Sequence, residues 1–214
     1  MKAKGLDRTV FAVAAAAWLA VAPLAWAAAP AAAVTGEDMA MGNPKAKITV
    51  IEYASAACPH CARFNNQVFP AFKKKYVDTG RVRYVYREFL TQPVEVAAAG
   101  ALLARCAGKA RYFAVLDDFF HGQAQAYETG DVRSLIFSVG KKAGLTDAQI
   151  TACLTDETAA KALNARVQHY SEAEGVDSTP TFVINGKKLG DLDHEIELAD
   201  LDAAISPLLK SKGR

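Results

Sequence analysis

The chain has 214 residues, enough for one domain with a sizeable core, and 51% of them are hydrophobic against 22% charged. That balance excludes a largely disordered chain. Its 25 basic and 23 acidic residues leave a formal net charge of +2, too slight to argue for nucleic-acid binding.

The N-terminus differs from the rest. Lys2, Lys4 and Arg8 precede an unbroken apolar run, FAVAAAAWLAVA, which ends at Pro23, and AWA at 25–27 puts small residues where an export protease reads. This predicts a secretory signal peptide over residues 1–27. The alternative is an uncleaved membrane anchor, because apolar residues continue to about Val34. Against it, the run is mostly alanine, which is weakly lipophilic, and Pro23 interrupts it. Cleavage would remove three basic residues and one acidic residue, so 25 and 23 become 22 and 22. It would also remove both tryptophans, Trp18 and Trp26. All four cysteines, Cys58, Cys61, Cys106 and Cys153, lie in the exported part, where an oxidising compartment permits disulfides.

Residues 28–47 read as a loose Ala/Pro-rich lead-in. ITVIEYA (48–54) is β-branched and apolar on both faces, as in a central buried strand. From Pro59 to about Val77 the pattern turns helical, with Phe64, Val68, Phe72 and Tyr76 at four-residue spacing and the lysines of FKKKY on the wet face. RVRYVYREF (81–89) alternates and predicts a second strand after a turn at Gly80. Five helical segments then follow, punctuated by Gly108, Gly122, Gly140 and Gly144. TPTFVINGKKL (179–189) predicts a hairpin about Asn185-Gly186, and ELADLDAAISPLLKS a closing amphipathic helix. There is no internal repeat. Without the helical block the order is β-α-β followed by β-β-α, which is the thioredoxin order. The predicted fold is therefore α/β and thioredoxin-like. Its first part is 48–92, an inserted helical domain is 93–174, and its second part is 175–214.

The chemistry gathers at YASAACPHCARFN (53–65). Cys58 falls at the junction of strand and helix, as the N-cap. Pro59 takes the first helical position, where its missing N–H is not needed and its fixed φ suits the helix. Unpaired N–H groups and the positive end of the helix dipole point toward the Cys58 sulfur, and His60 is close enough to add a donor or a positive charge. Each effect favours thiolate, so the Cys58 pKa should fall below the free value. Cys61 lies one turn deeper on the same face, able to close a disulfide with Cys58 but further from the free amides. A stabilised thiolate stabilises the reduced form, so such a pair gives its disulfide away. A zinc site needs about four ligands, whereas Cys106 and Cys153 are single and far apart. His121, His169 and His194 have no ligand-like spacing, so no metal is expected. A purely structural bridge across four residues closes little chain entropy.

VIEYASAACPHC (50–61), with STPTFVING (178–186) downstream, resembles the DsbA-like family of exported thiol:disulfide oxidoreductases. The resemblance begins at about residue 42 and includes the helical block. It implies that Pro59-His60 is an oxidase-type active-site pair. It implies that Thr179-Pro180 is a cis-proline loop against the cysteines, and that the backbone before Pro180 pairs with an extended substrate. It also matches Glu52 to an acidic residue beneath the site, a buried carboxylate with a raised pKa that relays the Cys61 proton. The alternative for Glu52 is a solvated position near the strand end. Cys106 and Cys153 both fall in the helical block. Their simplest reading is a structural disulfide pinning two helices, worth roughly 4 kcal/mol by loop entropy. A redox-active role that tunes the first site stays open.

The expected protein is a monomeric periplasmic oxidase that needs no cofactor. Its substrates are reduced, unfolded secreted chains, and a membrane-bound, DsbB-like partner reoxidises it. One alternative is a disulfide isomerase or reductase of the same fold. About twenty residues between the cleavage site and the first strand are too few for the N-terminal oligomerisation module such proteins carry. The other alternative is a non-catalytic chaperone or metal-binding protein.

Overall fold

The computed structural model describes residues 33–190 and 194–210. The predicted signal peptide lies outside the described residues. Five strands form one mixed sheet: β1 (Met39–Gly42), β2 (Ile48–Ala54), β3 (Val82–Glu88), β4 (Thr181–Ile184) and β5 (Lys187–Lys188). Their order across the sheet is β1-β3-β2-β4-β5, so the strand predicted to be central is central. β2 and β3 run parallel, and the other three pairings are antiparallel. The parallel pair needs a crossover, which the helical stretch from Pro59 to Val77 supplies.

That crossover is not uniformly α-helical. It begins as α1 (Pro59–Arg63), widens to a π turn over Phe64–Val68, returns as α2 (Phe69–Phe72) and widens again over Lys73–Val77. The four-residue spacing does not reveal this. Pro70 does: it has no N–H to donate and its ring crowds the preceding turn, and a π turn absorbs both.

The helical block is α3 (Val94–Cys106), α4 (Tyr112–Thr129), α5 (Val132–Lys142), α6 (Asp147–Leu154) and α7 (Glu157–Glu172), inserted between β3 and β4. Short polar side chains start three of these helices. Asp131 accepts from Ser134 N and Asp156 from Ala159 N, and Thr146 forms a reciprocal capping box with Gln149. The hairpin turns on Asn185 and Gly186, at φ 47° and 80°. Asn185 Oδ1 also accepts from Thr49 N at 2.8 Å, which docks the turn on β2. α8 (Leu198–Lys210) closes the fold with Leu201 and Ile205 buried.

Even-numbered residues of β2 and β3, among them Val50, Val82, Tyr84 and Tyr86, pack with Phe64, Phe72, Tyr112 and Phe120 in the main core. The opposite face carries Ile51, Tyr53 and Val85 against Tyr170 and Val176. The chain therefore has a thioredoxin-like fold with its helical insertion.

Two expectations need correction. The loose lead-in over 28–47 contains β1, which pairs antiparallel with β3. Met-Ala-Met-Gly has little intrinsic strand preference, and pairing with an already formed neighbour supplies what the residues lack. β3 forms as predicted, and its Arg87 and Glu88 are both buried. Each is surrounded by opposite charge. Asp38 and Glu174 pair with Arg87, while Arg105 and Arg166 pair with Glu88. Finally, Gly122 and Gly140 punctuate nothing. They lie inside α4 and α5, where an added Cβ would come within 2.3 Å of Leu135 and 2.6 Å of Ile150. They are points of close helix approach.

Candidate active site

β2 ends at Ala54, and the loop Ser55–Ala57 delivers Cys58 to the start of α1. Cys58 is the N-cap, in extended conformation at φ −81° and ψ 121°, with Pro59 in the first turn. The sulfur lies 3.4 Å from the Thr179 carbonyl. The Thr179–Pro180 peptide is cis, and the loop before β4 lies against Cys58. Cys58 is 6% exposed and Cys61 fully buried, and both are free thiols.

The two sulfurs differ in chemistry as well as depth. A hydrogen bond from the Cys61 thiol, then the Thr179 donor and the backbone N–H groups of Cys61 and His60, bring the Cys58 pKa down to about 5, against the opposing effect of burial. The Thr179 hydroxyl is buried with no partner among the described hydrogen bonds, so a nearby thiolate would be a natural acceptor for it. Burial, and then the neighbouring Cys58, push the Cys61 thiol well up. The surroundings thus favour the thiolate at Cys58 and the thiol at the deeper Cys61.

His60 differs from expectation. Its ring turns away to Glu195, which also pairs with Arg63 at 3.3 Å. What His60 brings to the Cys58 sulfur is its backbone N–H. Glu195 is a contact sequence reasoning missed, since nothing in DHEIELAD marks it as a partner of a residue 135 positions earlier.

Glu52 lies beneath the pair on the core face of β2, 2% exposed. Burial first, and the Cys58 charge in addition, raise its pKa to about 8, while a hydrogen bond from the Tyr84 hydroxyl works the other way. No cation stands beside it among the described ion pairs. It is close enough for its charge to raise the Cys61 thiol as well. Burial therefore favours the neutral carboxyl, which lies near the Cys61 thiol.

A surface cleft of about 510 Å³ opens beside Cys58, walled by His60, Thr179, Pro180, Phe182, Leu189 and Glu195. Cys106 and Cys153 are joined in a disulfide between α3 and α6, with Cα atoms 5.9 Å apart. The three histidines without ligand-like spacing each take an ordinary carboxylate or carbonyl partner. His121 bonds the Asp117 carbonyl, His169 lies by Glu174, and His194 by Asp200. Among the described residues no group of three or more His, Cys, Asp or Glu converges as a metal site would.

A family model described as thioredoxin matches residues 34–206. The chain belongs to the DsbA-like family of thioredoxin-fold proteins. The crystal structure of alpha-DsbA1 from Wolbachia pipientis superposes with a TM-score of 0.73 at 27% identity, over 82% of this chain and 92% of that one. BdbD from Bacillus subtilis in its oxidised form shares the fold, at a TM-score of 0.69 and 20% identity over 81% and 94% of the two chains. A relative from Rickettsia bellii, provisionally named a protein-disulfide oxidoreductase, is 33% identical over 169 residues, or 78% of this chain and 64% of its own length. The chain spans 62–66% of the length of such Rickettsia relatives. In this chain the asymmetric cysteine pair, the cis-proline loop and the buried carboxylate lie together.

Proposed function

We propose that the chain is an exported protein thiol:disulfide oxidoreductase that works as an oxidase in the periplasm. The observation that carries this reading is the unequal placement of the two sulfurs: Cys58 is the N-cap of α1 against Thr179, and Cys61 is fully buried one turn deeper, which lowers the first pKa to about 5 and pushes the second well up. A substrate thiolate attacks Cys58 of the oxidised pair. The Cys58–Cys61 bond breaks, a mixed disulfide forms, and the electron pair leaves on Cys61. A buried Cys61 thiolate is unfavourable, so it takes a proton, and protonated Glu52 is the nearby acid suited to give it. A second substrate thiolate then attacks the substrate sulfur, and Cys58 departs as a stabilised thiolate. The substrate gains a disulfide, and the protein keeps two electrons.

The remaining roles follow from the same reading. The Thr179 backbone pairs with an extended segment of the substrate in the cleft beside Cys58. His60 and Pro59 shape the helix start, and Cys106–Cys153 is structural. Substrates are reduced, unfolded secreted proteins, and a membrane-bound, DsbB-like partner takes the electrons. The protein acts as a monomer, delivered by a cleaved signal peptide. No helix among the described residues is long and apolar enough to cross a membrane.

The test is oxidation of a reduced, disulfide-dependent protein by the stoichiometric oxidised chain, with the redox potential measured against glutathione. Rapid net oxidation, and a potential more oxidising than that of thioredoxin, are the expected results. Reshuffling of scrambled disulfides without net oxidation, or a potential as reducing as that of thioredoxin, would assign the site to an isomerase or reductase instead.

A further inference from the structure

The helical block does more than cover the sheet. Two of its helices close on the loop that carries Cys58. Gly100 of α3 lies so near Ala56 that a Cβ there would stand 2.4 Å from the Ala56 Cβ. From α4, Gln123 Nε2 donates to the Ala56 carbonyl at 2.6 Å and approaches the Cys58 carbonyl at 3.4 Å. One turn further along α4, the Tyr127 hydroxyl donates to the Ala57 carbonyl at 2.9 Å. Gln123 is 2% exposed, so its amide is committed to these contacts. Three consecutive carbonyls, those of residues 56, 57 and 58, are thus held by two side chains from a helix more than sixty residues away.

We propose that Gln123 and Tyr127 are positioning residues of the redox site, holding the peptides of Ala56, Ala57 and Cys58 so that their carbonyl oxygens face α4 and leave the Cys58 sulfur to the amide donors of α1. The physical reason is local. Among these residues only the Cys58 carbonyl takes part in helix bonding, through Ala62 N. The two before it lie in a loop whose peptide planes could otherwise rotate, and a carbonyl dipole turned toward the sulfur would oppose a thiolate. A donor on each oxygen fixes the plane and draws its partial negative charge away. Tyr127 is also close enough to feel the sulfur: burial first, and then the Cys58 charge, push its phenol up. This inference rests on the reading of Cys58 as the ionised thiol.

The test uses Gln123→Met, which keeps the volume and loses the donor, and Tyr127→Phe, which loses only the hydroxyl. Thiolate absorbance of the reduced protein is followed against pH, and the melting temperatures of the oxidised and reduced forms are compared. In each variant the Cys58 pKa is expected to rise by about one pH unit, a tenfold loss in the ionisation constant. The equilibrium with glutathione is expected to move toward the protein disulfide by a similar factor. The melting temperature of the reduced form should fall more than that of the oxidised form. A Cys58 pKa unchanged in both variants, with both redox forms destabilised equally, would overturn the proposal and leave the two residues as packing. Tyr127→Phe decides the matter even if Gln123→Met fails to fold. A wild-type pKa near 8.5 would strike instead at the reading of Cys58 beneath it.

Discussion

Cys58 and Cys61 lie within one turn of each other at the start of a helix, whereas Cys106 and Cys153 are separated by 47 positions and lie in the last turns of α3 and α6. The difference is one of helix polarity. At a helix start, free amides and the positive end of the dipole stabilise a thiolate and make it a good leaving group. At a helix end, unpaired carbonyls oppose one. Exposure does not separate the pairs, because Cys106 is the exposed member of the four while Cys58 is buried. On the proposed reading, the pair that closes almost no chain exchanges, and the pair that closes a long loop stays.

The most direct way to break this contrast is to remove each pair's bond in turn. Cys58→Ser should abolish disulfide donation to a reduced protein. Cys106→Ser with Cys153→Ser should leave that donation intact and lower unfolding stability by about 4 kcal/mol, as chain-entropy arguments give for a loop of this size. A denaturant titration and a single-turnover oxidation assay read both. Loss of oxidation in the double variant at a temperature where it is folded would make the second disulfide part of the redox machinery.

Two carboxylates sharpen the same contrast one layer down. Glu52 and Glu88 are equally buried on neighbouring strands. Glu88 is held by Arg105 and the Tyr112 hydroxyl, with Arg166 nearby, whereas Glu52 has only the Tyr84 hydroxyl. The first is held by cations, and the second has none beside it among the described ion pairs. Arg105→Leu should therefore cost about 3 kcal/mol of stability by stranding Glu88. It should leave the pH profile of exchange unmoved.

Glu52→Gln should do the reverse. The folded pKa of Glu52 is raised, to about 8, so the stability of its neutral form is fully present below the free carboxyl value and is lost as pH rises through 8. The Gln variant cannot ionise. It should match wild type near pH 4 and be more stable at pH 8.5, by an amount on the order of 5 kcal/mol for a rise from 4.5 to about 8. It should also lose any inflection near pH 8 in the rate of exchange. A wild-type stability curve flat between pH 5 and 8.5 would show that Glu52 does not titrate there.

Much of this was legible in the sequence. The buried strand ITVIEYA, the Pro59 start, the Asn185-Gly186 turn and the placement of Cys58 all rest on local rules that survive folding. What was not legible depends on partners distant in sequence. β1 exists because β3 is there to pair with it, and Arg87 is buried because Asp38 and Glu174 converge on it. Gln123 and Tyr127 look like any polar and aromatic residues on an amphipathic helix, and only the fold turns them onto the cysteine loop. His60 was legible as a member of the site, but its ring direction was not, because Glu195 decides it.

The central claim is that Cys58 is a thiolate at neutral pH. Because its folded pKa is lowered, to about 5, ionisation stabilises the reduced form in full above the free thiol value of about 8.5. That advantage is lost as pH falls through 5. The decisive measurement is thiolate absorbance of the reduced protein between pH 3 and 10, with Cys58→Ser as the blank. An inflection near pH 5 that vanishes in the blank is the predicted result. A single inflection near 8.5, with nothing below 7, would contradict the account.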